Sequence, residues 1–322
     1  MQYGRWGRHA VALAILAATA TGALADDNLK LAIGQRGNWE TAIAELGNRA
    51  GIFKKHNLNL ELLYTAGAGE TLQTIISGAA DIGIGVGTGG AMGAFAKGAP
   101  VRAIGNATVG SNDLFWYVKA DSPLKAIKDA TDKTTIAYST AGSSTNMIVL
   151  GFIKTFDLKS KAEKTGSPPA TLTAVMSGQV DVGWAAPPFG LKEIEEGKIR
   201  IIGRGGDVPS MRNQTVRLVV VNADRLKKDK AVIARFMDAY RETLDWMYSD
   251  PKALGFYKDF SGIPENLTKK TMNDFYPKAT LDPDRISDID SVMTDAVASK
   301  FLPAPLSKDQ VAEFFQVPPK KQ

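Results

Sequence analysis

The residues best equipped for chemistry in this 322-residue chain sit in six short loops. Three are Gly34-Gln35-Arg36-Gly37-Asn38-Trp39, Gly67-Ala68-Gly69-Glu70-Thr71 and Gly87-Thr88-Gly89-Gly90. Three more are Ser139-Thr140-Ala141-Gly142-Ser143-Ser144-Thr145, Ser167-Pro168-Pro169-Ala170-Thr171 and Trp184-Ala185-Ala186-Pro187. Glycine lets a backbone come close to a ligand, and Ser and Thr supply hydroxyls and helix caps. Free N–H groups at a helix start, together with the helix dipole, favour an anion. The chemistry within reach is the holding of a small anion.

Catalytic parts are scarce. The sequence has two histidines, and only His56, in the polar stretch Lys54-Lys55-His56-Asn57, lies beyond the first 25 residues. A Ser–His–Asp triad would have to use it. There is no cysteine, hence no thiol nucleophile and no disulfide, and no His/Cys cluster has metal spacing. The Gly87–Gly90 run lacks the lysine of a phosphate-binding P-loop. Neither a metal nor a cofactor is expected, and no catalytic residue is assigned.

The candidate binding residues are Gln35, Arg36, Asn38, Trp39, Gly69, Glu70, Thr71, Thr88, Gly89, Thr140, Gly142, Ser143, Ser144, Thr171, Trp184 and Pro187. Several have two open readings. Ser143, Ser144 and Thr145 cap a helix, present N–H groups to a ligand, or both. Arg36 is a solvated loop charge or a bidentate partner for a sulfonate or carboxylate. Trp39 and Trp184 are core residues or ligand-stacking faces. Glu70 complements a helix dipole or pairs with an ammonium group. Asp81 and Asp181, each after a glycine turn and before a strand, are assigned to local backbone hydrogen bonding. Gly78 and Gly178 read as helix C-caps.

These loops are positioned by elements that occur twice. Thr71–Gly83 reads TLQTIISGAADIG and Thr171–Gly183 reads TLTAVMSGQVDVG, with six of thirteen positions identical at an offset of 100 residues. That spacing is too wide for a solenoid, whose periods run from about 20 to 50 residues. It predicts two lobes of one plan with a ligand cleft between them. Strand and helix patterns alternate in each half, which predicts a mainly parallel sheet flanked by helices. The first half offers strands over 29–33, 58–63, 81–86 and 101–104, and helices over 39–50, 71–77 and 91–97. The second offers strands over 134–138, 181–184 and 199–202, and helices over 144–155, 171–177 and 191–196. Two longer β-rich runs, Asp113–Lys119 and Thr215–Asn222, are expected to be strands crossing between the lobes. From Asp224 onward the pattern is mostly helical, and Val317–Gln322 is expected to fray. Ligands of such sheets sit beyond the C-terminal strand ends, where the six loops fall.

The N-terminus carries Arg5 and Arg8, an apolar run over 10–20, and Ala23-Leu24-Ala25 before Asp26. This is the three-part pattern of a secretory signal peptide cleaved after Ala25. No later apolar run reaches the 18 residues or so of a membrane span. Net charge is +5. Lys and Arg are dispersed among Asp and Glu, with no basic stripe interleaved with aromatics, so nucleic acid is not an expected partner.

The segments LKLAIGQRGNWETAIAE, GIFKKHNLNLEL, the G-x-G-E-T-L…SG…D-h-G block, AYSTAGSSTNM and SGQVDVGWAAPPF stand in an order and spacing that resembles one family. It is that of the periplasmic solute-binding proteins like SsuA, TauA and NMT1/THI5. The resemblance covers about residues 30 to 300. Ala186 precedes Pro187, where sulfonate-binding relatives often carry an acidic residue. The resemblance implies a two-lobed periplasmic binding protein fold of type II, α/β, with each lobe a mainly parallel sheet flanked by helices and two crossing strands joining them. Residues 1–25 are then the signal peptide, 26–112 with 222–322 the first lobe, and 113–221 the second. It further implies a monomeric periplasmic component of an ABC importer. Such a component captures a sulfonate, taurine, nitrate or aromatic carboxylate and hands it to a permease with its ATPase. The alternatives are a ligand-binding sensor subunit, and a pyrimidine-related enzyme or binder on the same fold.

Overall fold

The computed structural model describes residues 26–321; the signal peptide expected over 1–25 lies outside the described residues. The chain opens with β1 (Asp27–Gly34), α1 (Ile43–Arg49), α2 (Ile52–Lys55), β2 (Leu58–Thr65), α3 (Ala68–Ile76), β3 (Ile82–Gly87), α4 (Thr88–Ala96) and β4 (Val101–Val109). It then passes to β5 (Phe115–Lys119), β6 (Thr135–Tyr138), α5 (Ser144–Thr155), β7 (Lys161–Lys164), α6 (Pro168–Met176), β8 (Gly183–Ala185), α7 (Leu191–Glu195) and β9 (Ile199–Arg204). It returns through β10 (Thr215–Asn222) into α8 (Ala223–Lys228), α9 (Lys230–Ser249), α10 (Lys252–Ser261), α11 (Glu265–Phe275), α12 (Ile289–Ala298) and α13 (Lys308–Phe314).

The first sheet has the order β2-β1-β3-β10-β4. β1 runs parallel to β2 and β3, and β10 lies antiparallel between β3 and β4. In the second lobe β6 pairs with β7 in parallel, β8 joins β6 through the parallel bridge Ile136–Val182, and β5 lies antiparallel between β8 and β9. Read through that bridge, the order is β7-β6-β8-β5-β9, the plan of the first sheet repeated. The internal repeat is α3–β3 in one lobe and α6–β8 in the other.

Two expectations are corrected here. The runs 113–119 and 215–222 do not form crossing strands: β5 is a member of the second sheet and β10 of the first. The crossings are the short segments 110–114 and 205–214, which connect β4 to β5 and β9 to β10. A strand buried on both faces gains more by sheet pairing than by bridging through solvent. The C-terminus is also anchored: the Gln316 amide donates to the Ala103 carbonyl at 2.7 Å, and Arg241 Nη2 donates to the Pro318 carbonyl at 2.6 Å.

Burial explains the layers. β3 (IGIGVG) and β10 (TVRLVVVN) are buried along their whole length, as central strands covered on both faces must be. One face of the first sheet packs Leu31, Ile33, Ile84 and Val219 against α1, α9 and α10, with Phe236, Tyr240 and Leu244 spaced along α9. The other face packs Ala32, Val86 and Val220 with α4, α12 and, continuously, Trp116, Ile136 and Val182 of the second lobe. Among the described residues no helix is long and apolar enough to cross a membrane.

Candidate functional site

The repeat first shows what its residues hold up. Thr71 Oγ1 lies 2.7 Å from Thr65 Oγ1, and Thr171 Oγ1 lies 2.6 Å from Thr165 Oγ1, the same bond 100 residues on. The Lys30 amide donates to Asp81 Oδ2 at 2.8 Å, and the Thr135 amide donates to Asp181 Oδ2 at 2.8 Å. Gly78 and Gly178 end α3 and α6 at φ 73° and 76°, values that favour glycine. These residues hold each helix against its sheet, so Thr71 and Thr171 serve the scaffold.

Where the strand ends of the two lobes face each other there is a small, partly open cavity. It is lined from the first lobe by Gly34, Gln35, Asn38, Glu40, Thr41, Ala68, Gly85 and Arg217, and from the second by Leu114, Ser139, Ser143, Ser144, Thr145 and Trp184. It holds about 30 Å³, room for roughly two water molecules. The lobes meet beside it. The Gly69 amide donates to Thr140 Oγ1 at 2.9 Å, and the Tyr276 hydroxyl donates to the Pro187 carbonyl at 3.2 Å. A Cβ on Gly69 would collide with the Ala141 carbonyl, and one on Gly87 or Gly90 with the Gly142 carbonyl. The seam closes because these positions are glycine.

The cavity wall is polar and charged. Arg217 (5% exposed) projects from β10 and pairs through Nη2 with Asp113 (2%), while its Nε lies 3.8 Å from Oε1 of Glu40 (1%). Burial pushes the Glu40 carboxyl above its ordinary range, Arg217 opposing and Asp113 adding to the rise. Burial likewise raises Asp113 against the pull of Arg217. Arg217 is desolvated, yet its two carboxylate neighbours hold it protonated. Two carboxylates share one guanidinium, and burial disfavours ionising both at once.

Several buried atoms here have no partner: Asn38 Oδ1, Glu40 Oε2 and Asp113 Oδ1 as acceptors, Trp184 Nε1 and Arg217 Nε as donors. The other described tryptophans are satisfied. Trp39 Nε1 donates to Tyr248 at 2.9 Å, Trp116 to the Ala137 carbonyl at 2.9 Å and Trp246 to Asp250 at 3.0 Å. Buried polar groups are nearly always paired, so Trp184 Nε1 and Glu40 Oε2 stand out on this wall, with the unpartnered Tyr240 hydroxyl also facing Glu40.

The structure sorts the candidate residues. Gln35, Asn38, Ser143, Ser144 and Trp184 line the cavity. Gly69, Thr140 and Gly142 form the closing seam beside it. Thr88 begins α4, buried with its hydroxyl unpartnered, and Gly89 faces Met147 and Ala296. Pro187 lies off the cavity and contributes its carbonyl to Tyr276. Arg36 is corrected: it is exposed, with its guanidinium 4.4 Å from the Phe260 ring centre and 5.9 Å from that of Tyr64. Gln35 takes φ 66° and Gly37 φ 106°, so the turn sends Gln35 and Asn38 inward and Arg36 out. Trp39 is core, edge-on to Tyr257 and Tyr248. Glu70 accepts from the Ala66 amide at 3.0 Å and caps its own loop. The lining residues outside the six loops are Glu40, Thr41, Gly85, Leu114 and Arg217. Arg217 had a signal: it is the one charge in the apolar run Thr215–Asn222, and a charge there must be paired or functional.

His56 Nε2 lies 2.7 Å from Glu242 Oε2 at the junction of α2 and α9, apart from the cavity lining. Among the described residues there is no group of three or more potential metal ligands. A larger groove of about 640 Å³ runs between α6, α7 and α11. Leu172, Phe189, Ile263 and Leu267 line it, and its charges Lys192, Glu193, Glu195 and Glu196 are at most partly buried. The smaller cavity is the better site because the unpartnered buried groups converge there.

The profile of the family described as NMT1/THI5 like matches residues 38–254. The alkanesulfonate-binding protein SsuA from Xanthomonas axonopodis pv. citri bound to MOPS superposes with a TM-score of 0.74 at 17% identity, over 91% of this chain and 99% of that one. The periplasmic nitrate-binding protein NrtA from Synechocystis PCC 6803 gives 0.68 at 14%, over 90% and 85%. The desulfurization enzyme DSZB gives 0.62 at 16%, over 88% and 95%. No curated protein matches the sequence. The fold is that of the periplasmic binding proteins, and it is shared by binders and by an enzyme.

Proposed function

The chain belongs to the NMT1/THI5-like family, and from that premise we propose that it is the extracytoplasmic solute-binding component of an ABC importer. It captures a small solute between its lobes and delivers it to a membrane permease whose ATPase supplies the work. The observation that carries this reading is the narrow cavity at the strand ends, walled by both lobes and lined with unpartnered buried groups, which must widen from about 30 Å³ to take a solute. A ligand that touches both walls favours the closed form by its differential affinity for it. The protein acts as a monomer in the periplasm, with residues 26–112 and 222–322 serving as the first lobe and 113–221 as the second, apart from β10, which is built into the first sheet. The ligand-facing residues are Gln35, Asn38, Ser143, Ser144 and Trp184 from the original set, joined by Glu40 and Arg217.

Binding without turnover is favoured over catalysis by what the cavity contains. Its hydroxyls Ser139, Ser143 and Thr145 bond one another within 2.9 Å, and His56 is engaged elsewhere. No nucleophile stands against a base.

A thermal-shift screen of the purified protein against alkanesulfonates, taurine, nitrate, aromatic carboxylates and their amides tests the reading. A ligand at about 1,000 times its Kd adds roughly 4 kcal/mol, a shift of several degrees at this size. A bound compound must also compact the protein in small-angle scattering. Absence of any shift, with nothing small released on denaturation, would refute the binding role.

A further inference from the structure

We propose that the solute held by this cleft carries an N–H donor beside an acceptor group, with net charge zero or +1, and that Glu40 reads the donor while Trp184 and Arg217 read the acceptor. The inference rests on the binding role proposed above and names the chemistry of its ligand.

The charge inventory carries it first. Within the cavity and its immediate support stand Glu40, Asp113 and Arg217, two carboxylates against one guanidinium, all at least nine-tenths buried. Arg217 Nη2 is committed to Asp113. Glu40 has one oxygen 3.8 Å from Arg217 Nε and the other, Oε2, with no partner. A plain anion closed into this space would offer no donor to Glu40 Oε2. A ligand N–H placed on Glu40 Oε2 would instead supply the missing donor, in the strong charge-assisted class.

Helix starts do not reverse this. The Gly69 amide at the start of α3 donates to Thr140, and the Ala66 amide before it to Glu70. At α5 the Gly142 amide donates to Asn146 Oδ1 and the Asn146 amide to Ser143 Oγ. The chain itself uses these donors, while the Ser144 and Thr145 amides of the same helix start, both on the cavity wall, have no acceptor among the described residues. Among side chains on the wall, the free donors are Trp184 Nε1 and Arg217 Nε, and with the two free amides of α5 they suit a carbonyl, sulfonyl or carboxylate oxygen on the ligand. Amides, ureas, amidines and amino acids in zwitterionic form meet this pattern. Simple carboxylates, sulfonates and nitrate suit the donors but leave Glu40 Oε2 without one.

The test is calorimetric titration of the purified protein with two matched sets: acetate, acetamide and acetamidine, and benzoate, benzamide and benzamidine. Within each set the shape is nearly constant and only donors and charge change. The expected result is that the amide or the amidine binds at least roughly tenfold more tightly than the acid, as one charge-assisted hydrogen bond implies. Glu40→Gln is expected to weaken both the amidine and the amide and to bring the acid within a few-fold of the amide. If that variant does not fold, the wild-type preference within each set decides alone. An acid that outbinds its amide and amidine overturns the inference and leaves the binding role standing. If no member of either set binds, the compound released from denatured protein is identified by mass spectrometry. One with an N–H donor supports the inference, and one without overturns it. Nothing bound and nothing released refutes the binding role and the inference with it.

Discussion

At the scale of single residues, the two arginines near the cleft exchange roles relative to expectation. Arg36 follows the first strand, where a ligand clamp would sit, but its backbone neighbours turn it outward over Phe260 and Tyr64. Arg36→Ala is therefore expected to leave ligand affinity unchanged in calorimetry and to lower stability by about 0.5–1 kcal/mol, the worth of an exposed cation–π contact. Side-chain direction in a loop with two positive-φ residues cannot be read from residue types. Arg217 was legible in principle as a charge inside a buried strand. Glu40 was not, because it stands in an amphipathic stretch where a glutamate ordinarily faces water. Its burial also gives a pH dependence. A carboxyl whose pKa is raised by folding adds stability that is full below its unfolded value, near 4.5, and is lost as pH rises through the folded value. Asp113 acts with the same sign, Arg217 stays charged, and the tyrosines that face Glu40, Tyr240, Tyr248, Tyr257 and Tyr276, are pushed above their usual range by burial and stay neutral. The unliganded Glu40→Gln protein is thus expected to exceed wild type in Tm by a margin that widens from pH 4 to pH 7 in calorimetric scans. An unchanging difference would show that folding does not raise the Glu40 pKa.

Among the elements, legibility followed apolar periodicity. The helix over 144–155 lies where the pattern puts it, and the repeated helix–strand pair occupies equivalent places in both sheets. The strand β7 (KAEK) went unseen because it is a largely exposed edge strand with three charges in four residues and no apolar alternation to mark it. The crossing segments were misplaced for the converse reason: the most strand-like stretches were absorbed into the sheets, leaving irregular chain to make the crossings. The repeated aspartates allow a paired prediction. Asp81→Ala and Asp181→Ala each remove the acceptor for a backbone amide opposite, and Asp181 also accepts from the Thr135 hydroxyl at 2.8 Å. Each substitution is expected to cost about 1–2 kcal/mol in urea titrations, Asp81 also losing its contact with Arg225 Nε at 3.6 Å.

For the molecule as a whole, closure depends on backbone meeting backbone. Gly90 lies inside α4 with no positive φ, so Gly90→Ala would by itself favour the helix by about 1 kcal/mol. Its Cβ, however, would strike the Gly142 carbonyl of the opposite lobe. The variant is expected to keep its fold, to fail to compact with ligand in small-angle scattering, and to bind more weakly. Compaction equal to wild type would show that the seam yields.

The strand order carries a consequence of another kind. β10 enters the first sheet between β3 and β4, yet it is made more than a hundred residues after β4 begins. The second sheet is contiguous from β5 to β9 and can assemble as soon as its own segment exists. The first must wait with its centre missing, and such distant pairings are slow to form. In refolding followed by single-tryptophan variants, Trp116 and Trp184 are expected to reach native fluorescence before Trp39. The part of the chain begun first is then the part finished last.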